Sequence, residues 1–335
     1  LRIPTDGSVE HPVGAIPAIS ILMAVRDGEK YLDEALDSLS GQTFGDFEII
    51  VVDDGSRDGT AAMLADWVAR EPRLRVFTRS RQGLASSLNF AASVARAPLL
   101  ARLDADDTAL PERLARLYGE MQRRPFVGLL GSSVDLIDEE GKLVGELLTP
   151  ITHEALVEVL NEGCCLVQSS VIMRREAFHR AGGYRSGLNL GEDFDLWSRM
   201  AEVTEIAALP EKLVRYRMHR DSTTARWPIR GALAAVCVVA AAHARRHGEA
   251  EPFVAGVPKL RAALALTGRS RESFRNQVWA SLLSQRLLRA YVALPVPGVV
   301  KVAIRRTAMR LGLRPIYRRR LSWLAGAMNA ARSGG

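Results

Sequence analysis

The chain of 335 residues is 47% hydrophobic and 25% charged, enough apolar residue to bury a large core and too much to leave the chain unfolded. Its net charge of +7 is unevenly spread, because residues 1–227 carry 26 Lys and Arg against 35 Asp and Glu while 228–335 carry 19 against 3. The cysteines Cys164, Cys165 and Cys237 lack CxxC spacing, which argues against a zinc ribbon or a disulfide framework and predicts buried, reduced thiols.

Residues 1–17 read as an N-terminal segment without the pattern of a signal peptide, and a chain opening on Leu1 leaves room for a preceding segment. From Ile19 to Asp104 short β-rich runs alternate with helical patterns: ISILMAV, EKYLDEALDSLSGQ, FEIIVVD, a helix over Thr60–Arg70, LRVFT, a helix over Leu84–Ala95, and LLARLD. Such alternation predicts parallel βαβ units. Pro111 stands where a first helical turn would begin, and Asp107 is expected to cap that helix. The pattern then loosens into FVGLLGSSVDLI, a turn at Glu140-Gly141, a helix over Thr152–Leu160 and the apolar run CCLVQSSVIM. A Gly-rich loop, GGYRSGLNLG, leads into a helix starting near Glu192, and KLVRYRMH reads as a late strand. A mixed sheet over 18–226 is expected, followed by a basic helical region over 227–335.

Two acidic clusters carry the chemistry. Asp53-Asp54 and Asp104-Ala105-Asp106-Asp107 each end an apolar run, so a parallel sheet would bring them to the crevice at its carboxyl edge. Asp104 and Asp106 are two apart in an extended chain and point to one face, where both reach one cation or one ribose-diphosphate. Crowded carboxylates repel one another, and a hard divalent ion, Mg²⁺ or Mn²⁺, offsets this. Glu192-Asp193 opens a helix after a mobile loop; it is either acid favoured by the helix dipole or a general base. His219 reaches metal or phosphate or is a satisfied core residue, and Arg81 and Arg102 pair with diphosphate or serve the surface. No GxGxxG follows the first strand and no GxxxxGK[ST] occurs, which argues against a dinucleotide site and a P-loop.

In order along the chain, ISILMAVRDGEKYLDEALDSLSGQTF, FEIIVVDDGSRDGT, RQGLASSLNFAASVARAPLLARLDADD, GGYRSGLNLGEDFDLW and LVRYRMHRDSTT resemble glycosyltransferase family 2, with Ala24 and Asp27 standing where Pro and Asn are usual. The resemblance implies a GT-A fold and an inverting transfer from a nucleotide-sugar, a UDP-sugar being favoured, to a saccharide or lipid-linked acceptor. It implies that Ala24, Val25, Arg26, Asp53, Asp54, Arg81, Arg102, Asp104 and Ala105 bind the nucleotide-sugar, Asp54 at the base. Asp106, Asp104 and His219 then hold Mn²⁺ or Mg²⁺, and Asp193 is the base with Glu192 as its partner. Gln168 stands where relatives often have His. The rival readings are a haloacid-dehalogenase-type phosphatase, since LLARLDADDT contains DxDxT, and a non-catalytic surface-binding protein. The phosphatase would carry its nucleophile on the first strand, whereas this motif follows three βα units.

No run reaches the roughly 18–20 apolar residues of a spanning helix; the best, Ala232–Ala242, ends at His243. The tail sets apolar residues from Trp279 to Leu324 beside Arg305-Arg306 and Arg318-Arg319-Arg320, as an interfacial helix would. It is expected to meet an anionic membrane surface or to pack on the acidic body, and no nucleic-acid module is recognisable. The expected location is cytoplasmic, either free or peripheral on the inner face of the plasma membrane.

Overall fold

The computed structural model describes residues 16–188 and 190–254, together with residues 257, 258, 262, 263 and 266. The apolar tail positions from Trp279 to Leu324, and the arginine clusters among them, lie outside the described residues.

The strands β1 (Ile19–Val25), β2 (Phe47–Asp53), β3 (Leu74–Thr78) and β4 (Leu99–Arg102) are parallel and stand in the order β3-β2-β1-β4. Their crossovers are α1 (Leu32–Ser40), α2 (Thr60–Arg70) and α3 (Leu84–Val94). The chain moves outward from β1 to β3, then returns to place β4 on the other side of β1. That reversal opens a crevice at the carboxyl ends of β1 and β4.

The sheet continues through β8 (Ile172–Arg174), β6 (Val127–Ile137), β9 (Glu205–Arg217) and the short β5 (Thr108–Ala109), with β7 (Leu143–Leu147) forming a hairpin on β6. β8 runs antiparallel to both β4 and β6, whereas β6 and β9 are parallel, so the sheet is mixed as the loosened pattern predicts.

Alternation along the strands divides the core in two. Ile19, Ile21, Met23, Ile49 and Val51 face α1, α2 and α4 (Arg113–Arg123). Leu22, Ile50, Val52 and Leu100 face α3, α5 (His153–Leu160), α6 (Arg175–Arg180) and α7 (Glu192–Val203). After the short α8 (Thr223–Arg226), the helix α9 (Pro228–His247) adds Ala234 and Val238 to this second core against α7. Among the described residues no helix is long and apolar enough to cross a membrane.

Three local expectations are corrected. The run CCLVQSSVIM is strand only over Ile172–Arg174; Gln168–Ser170 forms a 3₁₀ turn instead. Ser170 bonds locally rather than to a ladder: its hydroxyl donates to the Val167 carbonyl at 2.7 Å, and that competition shortens the strand. Asp107 does not cap α4, because its Oδ1 accepts the Arg217 backbone N–H at 2.8 Å. Cys164 and Cys165 are partly exposed rather than buried, and of the three cysteines Cys237 is the buried one.

One acidic residue holds the turn after β2 in shape. Asp54 Oδ1 accepts from Gln82 N at 2.7 Å and Ser87 Oγ at 3.0 Å, and Oδ2 accepts from Gly83 N at 2.9 Å. It thereby caps α3 from another strand, where Gly83 turns the chain with φ +92°. Asp54→Ala is expected to lower the unfolding free energy by about 2–3 kcal/mol, the scale of hydrogen bonds to a charged acceptor. Chemical denaturation of the variant checks this, and an unchanged midpoint would leave the carboxylate without a structural role.

Candidate active site

The parallel strands end level with one another, Val25 beside Asp53, and so assemble one acidic rim. Asp53 is buried, and its Oδ1 accepts from both the N–H and the hydroxyl of Ser56, at 2.9 and 2.6 Å. Both bonds fall on one oxygen, which sets Asp53 apart from Asp54, whose two oxygens are committed to α3. Ala24 and Val25 line the same edge, whereas Arg26, bound to Asp27 at 3.6 Å, and Arg81 are exposed on the rim.

Arg102 lies elsewhere than expected. It is fully buried and donates to the carbonyls of Leu22 and Leu103 and to Asp104 Oδ1, so it braces the turn from beneath and does not face a diphosphate. Burial alone would lower its pKa, but Asp104 and then Tyr184 more than offset this and the value rises. Asp104 is gripped again by Ser169, whose hydroxyl accepts from the Asp104 N–H at 3.0 Å and donates to Oδ2 at 3.2 Å. Beneath both lies Arg113, also fully buried, which donates to the carbonyls of Arg102 and Ser169 at 2.6 and 2.8 Å. Burial, and then the neighbouring Arg102 charge, push its pKa down to about 9.

Ala105 and Asp106 form the open part of the turn. Asp106 Oδ2 lies 2.9 Å from His219 Nε2, which joins the turn after β4 to the chain leaving β9. Among the described residues no three His, Cys, Asp or Glu side chains form a ready-made metal cage. The pair Asp106–His219 still suits a cation that takes its other ligands from a substrate diphosphate, the usual habit of Mg²⁺. Asp107 beside them is buried and neutral-leaning: burial first, then Asp106 and Asp104, push its pKa well up.

The third acidic group arrives from the second core. Gly191, with φ +72°, turns the chain into α7, whose first residues are Glu192 and Asp193. Asp193 Oδ1 accepts the Phe194 N–H at 2.7 Å, and the Cys164 thiol lies 3.9 Å from Oδ2. Glu192 is the more buried acid, and burial followed by the Asp193 charge raises its pKa to about 8. Burial raises Asp193 to about 6, and Asp104 adds to the rise. Asp104 contributes to the rise at both acids, so the turn after β4 lies within electrostatic reach of the start of α7. The two titrate as a pair, in which Asp193 ionises first and Glu192 holds its proton near neutral pH.

The loop before α7 is held by residues that sequence patterns did not single out. Asn89 of α3 accepts the Tyr184 N–H at 2.9 Å and donates to the Tyr184 carbonyl at 2.7 Å. Arg185 reaches buried Asp195 at 3.3 Å, and Asp195 also receives Arg199 at 2.6 Å. Sequence distance hides both contacts, since an Asn within a helix and an Asp one turn into another carry no motif of their own. Gln168, meanwhile, is buried with Oε1 unpaired.

Residues 20–182 match the family described as Glycosyl transferase family 2. The O-antigen biosynthesis glycosyltransferase WbnJ of Escherichia coli is 32% identical over 209 residues, which cover 61% of this chain and 81% of that one. The putative glycosyltransferase EpsE of Bacillus subtilis is 28% identical, over 56% of this chain and 67% of its own. Among solved structures, S. aureus TarS 1–349 in complex with UDP-GlcNAc superposes with a TM-score of 0.57 at 18% identity, covering 68% of this chain and 66% of that one. This chain thus spans about two thirds of the length of that solved chain. The mannosyltransferase PcManGT of Pyrobaculum calidifontis, in complex with GDP-Man and Mn²⁺, gives 0.56 at 19% identity over 98% and 90%. At these identities the structural likeness is one of fold, and the fold is GT-A. The chain belongs to glycosyltransferase family 2 and is a glycosyltransferase.

The paired acids make a prediction about stability. Folded-state pKa values raised to about 8 and about 6 mean that the stability these groups contribute is complete below their ordinary values of 4.5 and 3.8 and is lost as pH climbs through the raised ones. Glu192→Gln removes the larger part of that loss. Its melting temperature relative to the unaltered protein is therefore expected to rise steadily between pH 5 and pH 9. Parallel melting curves across that range would show that Glu192 is ionised throughout.

Proposed function

We propose that the chain transfers a sugar from a nucleoside-diphosphate sugar to an acceptor hydroxyl, with inversion at the anomeric carbon and with Mn²⁺ or Mg²⁺ assisting. The observation that carries this is the meeting of the turn after β4 with the first residues of α7, where Asp104 acts on the titration of both Glu192 and Asp193. One side offers carboxylates fit for a diphosphate and its cation, and the other offers a base. The complexes of the fold neighbours with UDP-GlcNAc and with GDP-Man and Mn²⁺ support the same class of sugar donor.

Asp53 receives the base in place of the expected Asp54, whose oxygens are both bonded to the start of α3; a uracil is preferred, since its imide N–H suits a carboxylate with one oxygen outside its bonds to Ser56. Asp106 and His219 hold the cation, and Asp104 is positioned by Arg102 and Ser169 toward ribose or a metal-bound water. The cation, when bound, neutralises charge on the departing diphosphate. Asp193, ionised at neutral pH, takes the proton from the acceptor hydroxyl. The acceptor oxygen bonds to the anomeric carbon as the bond to the diphosphate oxygen breaks, and the electron pair leaves on the nucleoside diphosphate. Glu192 keeps its proton and so does not repel Asp193 at the moment of attack.

A screen of nucleotide-sugars with Mn²⁺ or Mg²⁺, read by nucleoside diphosphate release, tests the class. Asp106→Asn keeps the shape, deletes the charge and should abolish most metal-dependent binding of the sugar donor. Asp193→Asn should bind the sugar donor nearly normally and lose transfer by a factor on the order of 10²–10⁴. Phosphate release from a phosphomonoester without any nucleotide-sugar would favour the phosphatase instead.

The acceptor is a saccharide or a lipid-linked glycan of the cell envelope, a context supported by the O-antigen role of the WbnJ relative. Together with the excess of 19 basic over 3 acidic residues in 228–335, this favours a cytoplasmic enzyme peripheral to an anionic membrane. Full-length protein is expected to co-sediment with anionic but not neutral vesicles at low salt. Equal recovery in the supernatant with both would remove the membrane from the reading.

A further inference from the structure

Arg217 is almost completely buried at the end of β9, two residues before His219, and every nitrogen of its guanidinium is engaged. Nε donates to the Asp106 carbonyl at 3.0 Å. Nη1 donates to the carbonyls of Asp138 and Glu139 at 3.3 and 3.2 Å, and Nη2 bonds Glu34 of α1. Its backbone N–H goes to Asp107 Oδ1 at 2.8 Å. The guanidinium also lies over the Tyr31 ring, 4.6 Å from its centre, and that ring meets the His219 imidazole edge-on at 5.1 Å. One side chain thus grips the main chain of Asp106 directly and bears on His219 through Tyr31.

The chemistry explains why an arginine suits the position. Asp106 sits on the turn after β4 and His219 on the chain leaving β9, so their separation depends on how two distant segments are tied together. A planar fork of donors holds several carbonyls in fixed directions at once, which a lysine ammonium cannot do.

We propose that Arg217 is a positioning residue for the cation site: it sets the distance and angle between Asp106 and His219 and so determines metal affinity without being a ligand. This rests on the reading of Asp106 and His219 as the metal-holding pair. Residues that orient metal ligands from outside typically contribute 10–100-fold in affinity.

The experiment is a titration of free Mn²⁺ by electron paramagnetic resonance in the presence of UDP, on full-length protein. Arg217→Lys is expected to weaken Mn²⁺ binding by about 10–100-fold. The comparison is Arg174→Lys, which loses donors to the carbonyls of Met121, Arg124 and Val127 far from the turn and should lower the melting temperature with Mn²⁺ affinity unmoved. Glu34→Ala, on an exposed residue, and Tyr31→Leu loosen the same grip more gently and decide the matter should Arg217→Lys fail to fold; each is expected to weaken Mn²⁺ binding severalfold. Unchanged affinity in Arg217→Lys, or in both gentler variants, overturns the positioning role, as does an equal loss in Arg174→Lys. If the unaltered protein binds Mn²⁺ no tighter than Asp106→Asn, the metal assignment itself fails and the role of Arg217 falls with it.

Discussion

The site depends on holding like charges together at the end of a sheet that has little water to screen them. Asp53, Asp54 and Asp107 are buried, Asp104 and Asp106 partly so, and Glu192 joins them from the other core. Each such carboxylate costs free energy unless it is hydrogen-bonded, paired or protonated. The chain uses all three remedies, and which acid receives which decides its role. Asp54 is saturated by amides and a hydroxyl and is structural. Asp104 is paired with Arg102. Asp107 and Glu192 are driven toward the neutral form. Asp106 and Asp193 remain open, and those are the two acids assigned to cation and base.

The buried arginines answer the same constraint from below. Arg102, Arg113 and Arg217 are all nearly inaccessible, and all three spend donors on main-chain carbonyls of the turn or of the 3₁₀ segment beside it. Arg113 lies close enough to Arg102 for the two cations to oppose one another, and that repulsion adds to burial in lowering the Arg113 pKa to about 9.

Much of this architecture was legible because the relevant signals are local. Apolar runs ending in acids locate β2 and β4, and the alternation of short β-rich runs with helical patterns places β1 and β3 beside them. Gly191 followed by two acids locates the start of α7. What was not legible depends on contacts between segments far apart in sequence. Nothing in RYRMHRD distinguishes Arg217, which is buried against α1, from Arg215 two residues earlier, which is exposed. Arg102 reads as a surface charge beside an acidic motif, and only the packing of β1 against β4 turns it inward to the Leu22 carbonyl. Likewise Ser169 in QSS carries no sequence mark of its bond to Asp104.

α3 connects the two halves of the site mechanically. Its first turn is tied to the nucleotide-side strand by Asp54, and its middle is tied to the loop before α7 by the paired Asn89–Tyr184 bonds. That loop is fixed at its next residue by Arg185, which spans from Asp195 of α7 to Glu251 beyond α9. A helix resists compression along its axis because its main-chain bonds lie nearly parallel to it. Asp54 and the loop before α7 are thus joined through one helix, although more than 130 residues of chain lie between Asp54 and Asp193.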